Sequence, residues 1–250
     1  MCTQTPIDPD PPIPAVMYLS RLHDTLPRTK DSIAEAAVRV GRDPSEVTLV
    51  AVSKGHPLEA VQAAVAAGLT DLGENRVAEL EWKSGEMTGE GIRWHMVGQL
   101  QSRKAPRLVG VTHLIHSVDR PSVAQRLGRA AQEAGEVVSI LVQVNTSGEE
   151  AKGGVAWDGA GEEVLRLSEI PGVRVEGLMT MAPFGAEEPV LRLTFRRLRE
   201  LSQAVRGTGG SVGGHLSMGM SNDLAVAVEE GSTMVRVGTA LFGPRPGGGA

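Results

Sequence analysis

Apolar residues recur along this chain with two different spacings, and the alternation between them outlines a fold. From Val16 to Val40 the spacing is helical, with Leu19, Leu22, Leu26, Ile33, Ala37 and Val40 at intervals of three, four or seven. Pro27 lies inside this stretch and has no N–H to donate, so a divided or kinked helix is expected, with Gly41 as its stop. From Thr48 onward the pattern changes to short apolar runs separated by amphipathic segments. The runs that read as strands are Thr48–Lys54, Asp71–Glu74, Ile92–Val97, His113–Val118, Val138–Asn145, Val173–Met181, Gly214–Met218 and Met234–Gly238. Between them, Val123, Leu127, Ala130, Ala131 and Ala134 share one helical face, as do Leu191, Phe195, Leu198, Leu201 and Val205. Pro57 and Pro121 stand near helix starts, where a missing N–H costs little.

Eight such alternations are what a closed parallel (β/α)8 TIM barrel requires, here with an extra N-terminal helical segment. An open doubly wound sheet competes, but it carries a Gly-rich turn after its first strand. This chain has Ser53-Lys54-Gly55-His56-Pro57 there, and neither GxGxxG nor GxxxxGK[ST] occurs. Residues 1–14 hold Pro6, Pro9, Pro11, Pro12 and Pro14 and read as a disordered leader; residues 244–250 read as a flexible Gly/Pro-rich tail. The expectation is one barrel domain over residues 15–243.

Composition narrows the class. With 41% hydrophobic, 22% charged and only 3% aromatic residues, the core must be aliphatic. A net charge of −5 and few aromatics argue against nucleic-acid binding. Cys2 is the only cysteine, so no disulfide forms within the chain, which suits a reducing compartment. No signal-peptide pattern opens the sequence and no apolar run is long enough for a bilayer, so a soluble cytoplasmic protein is expected.

Candidate chemistry begins at Lys54, after the buried-looking run Leu49-Val50-Ala51-Val52-Ser53. Active sites of parallel barrels lie at this end of the strands. A lysine half-sunk in apolar surroundings loses ammonium stability and becomes a nucleophile suited to an imine with an aldehyde. The alternative is a lysine whose head simply snorkels to solvent. At the far end of the sequence, Ser217-Met218-Gly219-Met220-Ser221-Asn222-Asp223 and Arg236-Val237-Gly238-Thr239 follow the last two strands. Small residues and hydroxyls there let backbone N–H groups converge on a phosphate. Ser221, Asn222 and Asp223 could instead only cap a helix. Closure of the barrel would bring this cradle and Lys54 to one pocket.

Val52-Ser53-Lys54 with Pro57, Gly73-Glu74-Asn75, Trp94-His95 through Gly98-Gln99-Leu100-Gln101, Asn145 to Gly154, Gly177-Leu178-Met179-Thr180-Met181, Leu216 to Ser221 and Arg236-Val237-Gly238-Thr239 together resemble the pyridoxal phosphate homeostasis protein family. These are stand-alone relatives of the N-terminal barrel of alanine racemase, and the resemblance spans nearly all of Val47 to Gly243. It implies that Lys54 holds pyridoxal phosphate as an internal aldimine. It implies also that Ser217, Gly238 and Thr239 hold the phosphate, that Arg236 faces the pyridine nitrogen and that Asn75 hydrogen-bonds within the pocket. A guanidinium cannot accept a proton, so the ring would stay unprotonated and be a poor electron sink. Read without the resemblance, Arg236 could pair with an Asp or Glu at the rim. The implied function is storage or delivery of pyridoxal phosphate, with PLP-dependent apoenzymes as recipients and a monomeric state. A weak amino-acid racemase is the alternative, although the only tyrosine, Tyr18, lies in the N-terminal helix, away from the second face such a reaction needs. Without the resemblance, a Schiff-base aldolase for a phosphorylated sugar is a further reading.

The chain departs from the family pattern at Gly55 and His56, where a threonine and a second lysine are frequent, and at Met96-Val97 and Arg103-Lys104. A rim role for Lys152 and roles for His56 and His215 stay open. His113 and His116 are three apart on an expected strand, so they should point to opposite faces, and no carboxylate or cysteine completes a metal set. His95 reads as a satisfied core or rim histidine, Gly207–Gly214 as a flexible loop, Glu149-Glu150 as a solvated loop, and Met179, Met181, Met218 and Met220 as packing.

Overall fold

Short extended runs cannot satisfy their backbone groups alone, and here they do so by pairing in a closed ring. A computed structural model describes residues 14–89, 91–149 and 153–246. The expected leader, except Pro14, the tail beyond residue 246, Glu150 and Lys152 lie outside the described residues. The strands are β1 (Thr48–Val52), β2 (Asp71–Glu74), β3 (Arg93–Met96), β4 (Leu114–Val118), β5 (Val138–Asn145), β6 (Val155–Ala156), β7 (Val173–Met179), β8 (Val212–Ser217) and β9 (Met234–Val237). All pairings are parallel. The ring runs β1-β2-β3-β4-β5-β7-β8-β9 and closes where β9 meets β1, with Val50 opposite Arg236. The two-residue β6 pairs only with the end of β5.

The helices are α1 (Ala15–Arg39), α2 (Leu58–Ala66), α3 (Val77–Glu86), α4 (Pro121–Ala134), α5 (Ala160–Ser168), α6 (Glu188–Gly207), α7 (Leu224–Glu229) and α8 (Thr239–Phe242). Between β3 and β4 a 3-10 helix, Ser102–Leu108, replaces an α-helix, and Pro106 lies inside it. Contrary to expectation, α1 runs unbroken through Pro27. Pro27 faces solvent, where the helix side opposite the core tolerates weak or missing bonds. The expected stop at Gly41 is present: its φ is +70°, and the Arg42 N–H reaches back to Ala37 O at 2.9 Å.

Two apolar regions result. The outer one packs helices on the strands through Val61, Leu80, Leu127, Leu167, Phe195 and Val228, all fully buried. The inner one plugs the barrel with Leu114, Leu141, Met179 and Met234. Beside this plug the barrel interior is polar, and the site is built there. Among the described residues no helix is long and apolar enough to cross a membrane.

Candidate functional site at the barrel mouth

Strand β1 ends at Val52, two residues before Lys54, and the chain turns at once. The Ser53 N–H still bonds to Gly73 O at 3.0 Å, the His56 N–H returns to Ser53 O, and Gly55 takes a φ of +70°. Lys54 is therefore carried on a tight turn, and what fixes this turn is a buried ionic cluster. Lys83, on α3 and fully buried, donates to Ser53 O at 2.9 Å, to Glu74 Oε1 at 2.6 Å and to Glu79 Oε1 at 2.9 Å. Glu79 Oε1 also accepts from the Gly55 N–H at 2.7 Å. Both peptide neighbours of Lys54 are thus gripped by α3. Ser53 Oγ donates to Glu74 Oε1 at 2.6 Å, while Glu74 Oε2 is buried without a partner. Burial outweighs the Lys83 cation and pushes the Glu74 carboxyl above its ordinary range.

Lys54 lines a pocket of about 360 Å³ at the C-terminal mouth of the barrel, within the size range of small-ligand sites. Asn75, Arg236, Gly238 and Thr239 share it, with Met181–Ala186 and Ser221, Asn222 and Asp223. Burial, followed by the charges of Arg245 and Arg236, lowers the Lys54 amine below the usual lysine range, and Glu74 opposes the shift. Gly98 packs on the backbone of Asn75: a Cβ there would stand 2.3 Å from Asn75 O. Gly238 similarly abuts Val52, 3.0 Å from where its Cβ would be to Val52 O. Ser221 Oγ accepts from the Ala240 N–H at 3.4 Å, joining the loops after β8 and β9. Asp223 precedes α7 but does not cap it; its Oδ1 accepts from the Met220 N–H at 2.5 Å.

Arg236 is 6% exposed. Its Nη1 donates to Ser217 Oγ at 2.5 Å and its Nη2 to Thr180 O at 3.0 Å, so its partners are a hydroxyl and a carbonyl rather than a rim carboxylate. Burial brings its pKa down to about 10, and the guanidinium remains charged at neutral pH. Ser217 departs from its expected place. Register turns its side chain into the barrel, where Oγ meets Arg236 and His116 Nδ1 (2.8 Å), and it does not line the pocket. Gly238, Thr239 and Ser221 stand at the pocket instead.

His56 is a packing residue. It is buried, its Nδ1 lies 3.0 Å from the Tyr18 hydroxyl, and its ring stacks obliquely on Phe242. Burial and the nearby Lys83 lower its pKa to about 4. His215 is exposed. His113 and His116 do not diverge as expected: His113 precedes β4, outside its alternation, and both rings border His95, at 5.6 and 5.1 Å between centroids. Among the described residues no group of three or more His, Cys, Asp or Glu could hold a metal ion. The sequence reading missed the Lys83 cluster and the inward polar row through His95 and His116. The period of two in β4 could have indicated the latter, since His116 shares the inward face of Leu114 and alternates with Ile115.

The family model for the alanine racemase N-terminal domain matches residues 31–246. A pyridoxal phosphate homeostasis protein of Aquifex aeolicus (strain VF5) is 39% identical over 222 residues, covering 89% of this chain and 97% of the relative. One from Pseudomonas aeruginosa (strain PAO1) is 39% identical over 227 residues, covering 91% and 97%. This chain belongs to the pyridoxal phosphate homeostasis protein family. Among solved structures, PipY of Synechococcus elongatus PCC7942 with PLP bound matches with a TM-score of 0.75 at 39% identity, covering 84% of this chain and all of that one. An unknown protein from Bifidobacterium adolescentis matches with a TM-score of 0.85 at 32% identity, covering 94% and 100%. Alanine racemase from Streptomyces coelicolor A3(2), at 19% identity and a TM-score of 0.69, shares the fold. Family membership and the closed ring of strands agree with the barrel expected from the sequence.

Proposed function

We propose that this chain binds pyridoxal phosphate through Lys54 and serves to hold it and pass it to cytoplasmic apoenzymes, acting as a monomer. The observation that carries the reading is the convergence of Lys54 and Arg236 on one pocket with Gly238, Thr239 and Ser221. The donor set fits the cofactor: an amine with a lowered pKa, a fixed cation, and glycine, threonine and serine at the junctions after β8 and β9, where backbone N–H groups can meet an anion. When bound, pyridoxal phosphate supplies an aldehyde that an amine can hold covalently and a ring able to withdraw electrons.

Lys54 is the amine, its pKa lowered by burial and by its cationic neighbours, and it is aimed by the grip of Lys83 and Glu79 on its turn. Gly238, Thr239 and Ser221 are the residues assigned to the phosphate. Arg236 is assigned to the ring nitrogen; it can donate but not accept, so it withholds the proton that strong carbanion chemistry needs. Tyr18 is engaged by His56 and buried, which leaves it unable to act on a bound substrate. These features favour carrying the cofactor over turning over substrates.

Purified protein incubated with pyridoxal phosphate should turn yellow. Borohydride should fix the adduct, and mass mapping should place it on Lys54. Lys54→Ala should abolish the visible band; a covalent band that survives in this variant, or an adduct mapped to another lysine, refutes the assignment. Amino-acid racemisation at ordinary enzyme rates would refute the carrier role.

A further inference from the structure

Arg236 is the first member of a chain of side chains that crosses the barrel interior to its opposite mouth. Ser217 Oγ lies 2.5 Å from Arg236 Nη1 and 2.8 Å from His116 Nδ1. His116 Nε2 lies 2.9 Å from His95 Nδ1, and His95 Nε2 lies 3.0 Å from Asp71 Oδ1. Ser217, His116 and His95 are fully buried and Asp71 is 7% exposed. Asp71 Oδ1 also accepts from Arg93 Nε at 2.7 Å, and Arg93 is half exposed at the far rim. The row therefore draws one residue each from β9, β8, β4, β3 and β2, and it touches the pocket only at Arg236.

When both rings are neutral, the two ends dictate every proton between them. A guanidinium only donates, so Ser217 Oγ must accept from Arg236. An ionised carboxylate only accepts, and Asp71 is held in that form, well below the usual range, by His95 and Arg93 against the penalty of burial. The single hydroxyl proton of Ser217 then goes to His116 Nδ1. His116 carries its own proton on Nε2 and gives it to His95 Nδ1; His95 carries its proton on Nε2 and gives it to Asp71. With both rings neutral, each bond of the row has one donor. Any other tautomer of either ring sets two protons or two lone pairs against each other where no water can relieve the conflict.

We propose that Asp71, His95, His116 and Ser217 are positioning residues for the cofactor site, and that Asp71, at the opposite mouth, sets the direction of the whole row and with it the orientation of Arg236. This rests on the binding reading above. It makes a remote acidic residue a determinant of how the guanidinium is presented to the ring nitrogen. Asparagine can either donate or accept, so Asp71→Asn keeps the shape and removes the compulsion.

The test has two parts. Nitrogen-resolved NMR of the wild-type protein should find both His95 and His116 neutral at neutral pH with the proton on Nε2. A proton on Nδ1 of His116, or an imidazolium at either ring, overturns the proposal without any variant. In pyridoxal phosphate titrations, Asp71→Asn and Ser217→Ala should each shift the visible band of the bound cofactor and weaken its affinity about tenfold, the worth of one net buried hydrogen bond. Arg93→Gln, which leaves the carboxylate in place, should change affinity by less than about twofold, as expected for an exposed partner. If Asp71→Asn melts like the wild type and keeps both the wild-type band and affinity, Asp71 is not a positioning residue. A wild-type protein that shows no band at all rejects the binding reading itself, and this proposal with it.

Discussion

Lys83→Met tests whether the buried ionic cluster under Lys54 is a mutually dependent unit. Methionine keeps the length and most of the apolar stem, so the change removes the charge and three hydrogen bonds with little loss of volume. Glu74 would then stay fully buried with a hydroxyl partner on Oε1 and nothing on Oε2. Removing one member of a buried pair typically costs about 3–5 kcal/mol, because the abandoned charge retains its desolvation penalty. Against a total stability of about 5–15 kcal/mol this is severe. For a chain of this size it corresponds to a fall in melting temperature of about 6–20 °C. Urea denaturation should show a lower midpoint with an unchanged slope. The pH dependence has a definite sign. The Glu74 carboxyl is already raised by burial and loses its cation, so the deficit should be largest at neutral pH and shrink as acid protonates it. Adding Glu74→Gln should recover at least half of the loss. A single variant within about 1 kcal/mol of the wild type, or a double variant no better than the single, refutes the reasoning. Borohydride trapping at Lys54 should also slow, since the carbonyl of Ser53 loses its anchor.

Two other perturbations follow from the geometry. His56 is held neutral with its pKa lowered from 6.5 to about 4, so the unfolded chain binds the extra proton first; stability should fall as pH drops through that window, and His56→Gln, which can still accept from Tyr18, should flatten the fall in thermal melts. Gly98→Ala would force a methyl to 2.3 Å from Asn75 O; a loss of about 1–3 kcal/mol in denaturation and weaker cofactor binding are expected, and parent-like values in both would show that the backbone yields freely there.

The strand positions were legible because most barrel strands are short apolar runs set between amphipathic segments, as in β1, β5 and β9, and the eight runs fall where β1–β5 and β7–β9 are found. Helix faces were legible for the same reason: Leu191, Phe195, Leu198 and Val205 are all buried on α6. What the sequence hid depends on direction and register. Ser217 sits in a phosphate-like motif, but its place on β8 turns the hydroxyl inward, and its pairing with Met179 of β7 and Met234 of β9 reveals that. Lys83 lies in a helix with Glu79, Glu81 and Glu86, a pattern that reads as a solvated face until the carbonyl of Ser53 is seen to cross it. Pro27 misled because propensity describes an isolated helix, whereas α1 is held by burial of Tyr18, Leu22, Leu26 and Ile33.

The way α1 is fastened has a consequence for how the protein is made. Arg21 Nη1 donates to Phe242 O at 2.8 Å, Thr25 Oγ1 to Leu241 O at 3.0 Å, and Arg42 Nη1 to Val228 O and Ser232 O at 2.9 Å each. These bonds tie α1 to α8 and to the end of α7, which are made later, and Arg21 and Phe242 are 221 positions apart. At a typical translation rate the ribosome needs on the order of 10–40 s to cover that distance. For that interval part of the greasy stripe on α1 has no final berth, so the nascent chain should depend on slow release or a chaperone.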